Sequence, residues 1–371
     1  MNGIKHRLER ILGRFPHGIG AVLALLALSG GGVTTAAVGA TPNCTVEQGQ
    51  TYIDEGRYDH AVRELSCVIA VHPTEVEGYR GRAEALLLLG RYSDAFADYA
   101  RITAVVEPVH ADAWTTIFAG YTARLSASPN DIPALTGASF ARWVDFQYPK
   151  AIALLETLVQ LHPDDVYANL FLGSSRVLKG VKTSLGIADL DRAIALAPTS
   201  PDVRFIVADA YTYGLPDPER ALAEASLALE WGLDTPRVHA ILGAAHNALG
   251  DVDTAAEHVA RHLELVTTEL VPTAPLTAGG SLDLGVLPGQ VLEIPVPVSV
   301  GETIAIATSS KDYWDTIAVL FAPDGTPVVG SDDENAYFAA FDHVAETTGT
   351  YRLRVAFFEA VNSGRLVVTR T

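Results

Sequence analysis

Between about residues 41 and 266 apolar positions recur at helical spacing, and from 281 onward they fall into short runs bounded by turns. In the helical part, Gly56-Arg57-Tyr58-Asp59-His60-Ala61 returns as Gly90-Arg91-Tyr92-Ser93-Asp94-Ala95, an offset of 90 − 56 = 34 residues. The Gly permits a tight turn between two helices, the Tyr packs over it, and the small Ala lets the helices approach. Twelve residues after Ala61, Pro73 ends the unit because it cannot continue a helix. Across 83–89 and 152–161 apolar residues run almost all round, the pattern of helices sandwiched between neighbours.

A 34-residue helix-turn-helix period resembles the tetratricopeptide repeat. The first unit carries Gly49, Tyr52, Leu65 and Val68; the second carries Tyr79, Ala83 and Leu86 and closes at Pro108. Trp114 and Tyr121 open a third, whose second helix over 149–161, with Ala151 and Leu155, arrives late and leaves 126–147 as an insertion. Tyr167, Gly173, Gly180 and Pro198 mark the fourth. The fifth has Ala208, Tyr211 and Ala221, with Leu215-Pro216-Asp217-Pro218 replacing the turn Gly; the sixth has Leu242-Gly243, Gly250 and Ala255.

The resemblance implies a superhelix whose concave face takes a protein or peptide. The family's inner-face positions fall on Gln50, Arg80, Glu84, Thr115, Ala119, Ser174, Asp209 and Asn247. These are mixed and lightly charged, without the Lys and Asn cluster that grips carboxylate tails in some chaperone-binding relatives, and the alternative is that they face water. Phe140, Trp143 and Phe146 in the insertion read either as an extra packed helix or as a partner-facing lid.

Val271-Pro272-Thr273-Ala274-Pro275 reads as part of a linker over 267–280. Strands follow over 281–286, 291–298, 303–308, 316–321, 326–330, 337–343, 350–357 and 365–369, enough for a β-sandwich. Pro295 and Pro297 mark one run as an edge strand. The runs Thr316-Ile317-Ala318-Val319-Leu320-Phe321-Ala322-Pro323-Asp324-Gly325, Ser331-Asp332-Asp333 and Gly349-Thr350-Tyr351-Arg352-Leu353-Arg354-Val355 resemble the bacterial pre-peptidase C-terminal domain, a jelly-roll-like accessory module of exported proteins. The expected fold class is therefore multidomain, an all-α repeat solenoid followed by an all-β sandwich.

Composition agrees with folded material, at 49% apolar and 19% charged residues. With 26 Lys plus Arg against 44 Asp plus Glu, the formal charge of −18 argues against nucleic acid as a partner. Lys5, Arg7, Arg10 and Arg14, against Glu9, precede an uncharged stretch from Gly18 that ends in Val38-Gly39-Ala40. Residues 1–40 thus read as an export signal, or as an uncleaved anchor that would add a membrane contact. Either reading places the mature chain outside the cytoplasm, secreted or on a bacterial surface.

Cys44 and Cys67 fall at the start of the first helix and near the end of the second, where an antiparallel pair brings them together. An oxidising compartment favours a disulfide there, the alternative being two buried thiols. Asp312 and Asp315, with Asp332, Asp333 and Glu334, gather carboxylates on loops at one end of the sandwich, a candidate calcium site or a solvated acidic loop. His258 and His262 have two-ligand spacing on one helix but lack a His-Glu-x-x-His pattern. No nucleophile elbow, zincin motif or dinucleotide fingerprint appears, so no cofactor other than calcium and no catalytic residue is assigned. The leading expectation is a non-enzymatic extracytoplasmic interaction scaffold. The alternative is an accessory protein of secreted hydrolases whose sandwich binds polymer or cell wall. Nothing in the repeats fixes an oligomeric state.

Overall fold

The computed structural model describes residues 44–105, 121–312, 314–331, 338–358 and 362–371. Residues 1–40, Thr115, Ala119, Asp332, Asp333 and Glu334 lie outside them. Twelve helices form six antiparallel pairs among the described residues: α1 (Val46–Asp54) with α2 (Tyr58–Val71), α3 (Val76–Leu88) with α4 (Tyr92–Val105), α5 (Ile132–Val144) with α6 (Tyr148–Leu161), α7 (Val166–Lys179) with α8 (Thr183–Leu196), α9 (Pro201–Tyr213) with α10 (Pro218–Glu230), and α11 (Pro236–Ala248) with α12 (Val252–Val266). Residues 121–127 are also helical.

Local chemistry starts and turns these helices. Asp131, Asp165, Ser200, Asp217 and Asp251 each accept from the amide three residues on, at the starts of α5, α7, α9, α10 and α12. Gly56, Gly90 and Gly250 take positive φ at the turns of pairs one, two and six, where a side chain would be strained. In the fifth pair Gly214 stays right-handed, and the Pro216-Asp217 connection makes the turn instead.

Residues 126–147 are not an insertion. They contain α5, which packs on α6 as the first helix of the third pair. Phe146 occupies the positive-φ turn position (φ 54°) that Gly holds elsewhere. Phe140 and Trp143 are buried in the common helical core, while Phe146 is 62% exposed beside the Tyr148 ring.

Cys44 and Cys67 form a disulfide, with their Cα atoms 5.9 Å apart. It ties the start of the first pair to α2 beside a small separate core of Ile53, Ala61, Leu65 and Ala85.

Among the described residues the C-terminal part has two sheets, ordered β1-β3-β8-β5-β6 and β2-β9-β4-β7. Their strands are β1 (Glu269–Pro272), β2 (Ser281–Val286), β3 (Gln290–Val298), β4 (Thr303–Ser310), β5 (Thr316–Phe321), β6 (Pro327–Ser331), β7 (Ala340–Val344), β8 (Gly349–Phe357) and β9 (Gly364–Arg370). The expected linker is built into this fold: Glu269–Pro272 pairs parallel to β3, Leu276 is buried in the sandwich core, and the Arg370 amide donates to Gly280 O. Buried Arg370 also donates to Pro297 O at 3.1 Å and Leu276 O at 3.3 Å and pairs with Glu302.

The proline-bearing strand β3 lies between β1 and β8, so it is not an edge strand over its whole length. Its β1 ladder ends at Pro272 opposite Glu293, and Pro295 and Pro297 lie beyond it. Pro295 O accepts from the Leu276 amide on that side, so its ring nitrogen points where no ladder amide is required.

Candidate functional site

The first helices α5, α7, α9 and α11 touch one another in order and make one continuous inner surface. Helix α4, the second helix of the second pair, approaches all four of them. Its buried residues include Ala95, Phe96, Asp98, Tyr99, Ala100 and Ile102. The two alanines are fully covered and admit close backbone approach, while the aromatic rings reach outward. Tyr99 stacks on Phe140 of α5 with centroids 4.2 Å apart and planes 6° apart. Phe96 meets Phe171 of α7 at 5.3 Å. Arg101 pairs with Asp202 at the start of α9, its Nε 3.0 Å from one carboxylate oxygen. Burial raises the Asp202 carboxyl pKa, and the Arg101 charge opposes that shift. Asp98, one turn before Arg101, ties α4 to its own pair through Arg82 of α3.

The inner-face residues expected from the repeat pattern therefore divide. Ser174 is fully buried and accepts the Trp143 indole N–H at 3.2 Å. Asp209 is buried and paired with Arg237 at 2.8 Å. Asn247 donates to Gly330 O of the sandwich at 3.0 Å. These three are structural groups here, closed off from solvent or engaged by the neighbouring domain. On the first two pairs the face stays partly open: Gln50 bonds Asp54 along α1, Arg80 pairs with Glu77, and burial raises the Glu84 carboxyl pKa.

A second cluster joins the last pair to the sandwich. Val259, Ala256, Ala260 and Leu263 of α12 share a core with Ile317, Val319 and Phe321 of β5 and with Ala356 and Phe358. His262 is buried there, Nδ1 facing Pro236 O at 2.9 Å and Nε2 facing Phe358 O at 3.1 Å, with its ring against Phe358. Burial pushes its pKa down to about 4.

Nearby, Asp234 accepts from His239 Nε2 at 2.9 Å. That tautomer leaves His239 Nδ1 as the acceptor for His258 Nδ1–H, also at 2.9 Å. His246 stacks on His258, which burial and the two neighbouring rings bring down to about 4. The spacing of His258 and His262 does not make them a ligand pair, since His262 turns both nitrogens to backbone carbonyls. Among the described residues no group of three or more His, Cys, Asp or Glu is arranged to hold a metal.

Of the candidate calcium carboxylates, Asp312 accepts the Arg365 amide at 3.1 Å. Asp315 O accepts from the Phe358 amide through its backbone, which ties that loop to the end of β8.

Residues 46–114 match the tetratricopeptide repeat family. Among solved structures, the chain is similar to the APC/C hetero-tetramer Cut9-Hcn1, at 16% identity and a TM-score of 0.40, covering 59% of this chain and 45% of that one, so it spans less than half of that structure's length. It is also similar to TTC0263, a thermophilic tetratricopeptide protein of Thermus thermophilus, at 18% identity and a TM-score of 0.32, covering 54% and 96%. The pre-peptidase C-terminal domain of collagenase from Bacillus anthracis matches at 14% identity and a TM-score of 0.23, covering 28% and 95%. A search of curated proteins gives no match. Among the described residues the chain is a tetratricopeptide-like solenoid followed by nine strands in two sheets, a fold that supports protein-protein interaction.

Sequence reasoning missed Arg101 and Asp202, because their partnership spans 101 residues and belongs to no repeat motif. Phe96 and Tyr99 on a second helix were the available signal, two rings one turn apart on one face.

Proposed function

We propose that this protein is a non-enzymatic extracytoplasmic scaffold whose repeats hold a protein or peptide on their inner face, with the sandwich as a pre-peptidase-type accessory module. The observation that carries the reading is the part of the inner face left partly open on the first two pairs, where Gln50 of α1 and Arg80 and Glu84 of α3 are half-buried rather than closed off. The Cys44–Cys67 bridge and the basic-then-apolar residues 1–40 support an exported location. No helix among the described residues is long and apolar enough to cross a membrane.

The test is site-specific photocrosslinking in the native cell, with the reactive group at Arg80 or Gln50 on the inner face and at Lys182 on an outer turn as control. A discrete adduct from the inner positions alone is expected, in an envelope or culture-medium fraction. Identical adducts from all three positions, or none, would remove the inner-face reading. Recovery of the chain in the cytoplasm would remove the extracytoplasmic one.

A further inference from the structure

We infer that the cleft where α12 meets the β7 side of the sandwich is a docking site of its own, and that its occupant is an extended basic polypeptide that adds to β7 as a further strand. The cleft lies apart from the inner face of the solenoid, so this inference goes beyond the scaffold reading.

Among the described residues β7 ends its sheet and pairs with β4 alone. Its register sets Val344 opposite Thr303 and Asp342 opposite Ala305. The Ala345 amide donates to Glu302 O and the Thr308 amide to Ala339 O. In an antiparallel ladder the bonded pairs alternate, so they are His343 with Ile304 and Phe341 with Ile306. The amides and carbonyls of Asp342 and Val344 consequently point away from β4, toward a side that holds no described strand. Strand β6 ends the other sheet next to β7, but its edge is engaged: Asn247 donates to Gly330 O and α12 packs along the strand.

A cleft of about 860 Å³ borders the open edge. Val344 of β7, Val328 of β6 and Val252 of α12 give it apolar walls, Val344 being 57% exposed. Asp253, Glu257, Asp324 and Glu346 also line it, with no Lys or Arg among the lining residues. The Arg352 guanidinium reaches the Gly325 turn beside Asp324 without lining the cleft. His343 lines it too, and its Nε2 is shut off from water with no hydrogen-bond partner among the described residues.

These features select one kind of partner. Outward amides and carbonyls at alternate residues pair with an extended chain and not with a helix, whose own backbone groups are already bonded. Four carboxylates without a lining cation attract a basic segment and repel an acidic one. Side chains alternate faces along a strand, so basic residues alternating with β-branched apolar ones meet the carboxylates and the valines together. A second copy of this chain fits poorly, because pairing two β7 edges would bring the carboxylates of two chains of formal charge −18 together.

The experiment is fluorescence anisotropy of the full chain with a labelled octapeptide of alternating Lys and Val. Three further octapeptides serve as comparisons: alternating Glu and Val, and the Lys-Val peptide N-methylated either at every Lys or at every Val. The Lys-Val peptide should bind saturably and weaken as salt rises from about 50 to about 500 mM. The Glu-Val peptide, and at least one N-methylated peptide, should bind at least about tenfold more weakly. The Asp253→Asn, Glu257→Gln chain should lose at least about threefold in affinity, and a Glu47→Gln, Asp59→Asn control on the first pair should lose none. No saturable binding overturns the inference, as does equal loss in both variants, which would mean diffuse charge attraction. Full affinity in both N-methylated peptides overturns strand addition. A peptide-free dimer in sedimentation that Val344→Pro disperses assigns the edge to a second copy and also overturns it. Should the Asp253→Asn, Glu257→Gln chain lack a cooperative melt, the methylated peptides on the wild-type chain decide alone.

Discussion

Acidification is expected to weaken the junction between solenoid and sandwich through His262. Both ring nitrogens face backbone carbonyls, which only accept, so the neutral ring satisfies one contact and the imidazolium would satisfy both. Against that gain stands complete burial, which brings the native pKa down to about 4. The unfolded chain, with an ordinary His pKa of about 6.5, then binds the proton more readily than the native chain. Stability is complete above about pH 6.5 and is lost as pH falls toward about 4. At pH 4.5 the two pKa values give a loss of about 2–3 kcal/mol relative to pH 7.5. The assay is urea unfolding of the wild type and His262→Gln at both pH values, followed by tryptophan fluorescence. Background carboxylate titration cancels in the double difference, where the wild type should lose about 2–3 kcal/mol more than the variant. A double difference of zero would show that His262 does not titrate in this range. A negative value would show that the native ring is already imidazolium and that the two carbonyls outweigh desolvation.

Three further outcomes are expected. Gly173→Ala places a methyl 2.8 Å from Gly186 O and Leu190 N, backbone atoms of the paired helix α8, and should cost about 2–3 kcal/mol in denaturant unfolding; an unchanged midpoint would refute that helix approach. Thiol titration of denatured, unreduced protein should find no free thiol, and reduction should lower stability by about 3 kcal/mol for a bridge closing 23 residues of sequence separation; two reactive thiols would remove the bridge. Calorimetry of the full chain at millimolar calcium should give no saturable heat, since Asp312 already accepts the Arg365 amide; heat abolished by Asp312→Asn would restore the calcium reading.

Repeat identity was legible because its turn chemistry is local. The third pair shows the limit. Phe146-Gln147-Tyr148-Pro149-Lys150-Ala151 keeps the Tyr and Ala of Gly56-Arg57-Tyr58-Asp59-His60-Ala61 at the same spacing, but Phe replaces the Gly that makes the turn recognisable. The first helix of that pair was consequently read as an insertion. Strand β1 had no comparable signal: four residues ending in Pro form a strand only because β3 pairs with them. The closed groove was less visible still. Ser174, Asp209 and Asn247 sit at inner-face positions in the repeat, yet α4 and the sandwich decide whether such positions meet solvent.

The sandwich resolves a problem that every stacked array has at its end. An outermost helix has no neighbour, and α12 carries Ala256, Val259, Ala260 and Leu263 on a face that would otherwise be wet. Strand β5 answers it with a run buried at every residue, Ile317, Val319 and Phe321 against α12 and Ala318 and Leu320 in the sandwich core. A continuous apolar strand of this kind belongs to a sheet covered on both faces, and the unalternating Thr316-Ile317-Ala318-Val319-Leu320-Phe321 was its mark in the sequence. Asn247 on Gly330 O and His262 on Phe358 O add polar contacts across the same boundary. Solenoid and sandwich therefore share a core, and cutting the chain near residue 267 would expose apolar surface on both pieces. The loss would fall on the last pair, whose first helix α11 forms one end of the floor beneath α4. Through α11 and α4 the sandwich supports the second pair, on whose partly open face the scaffold reading depends.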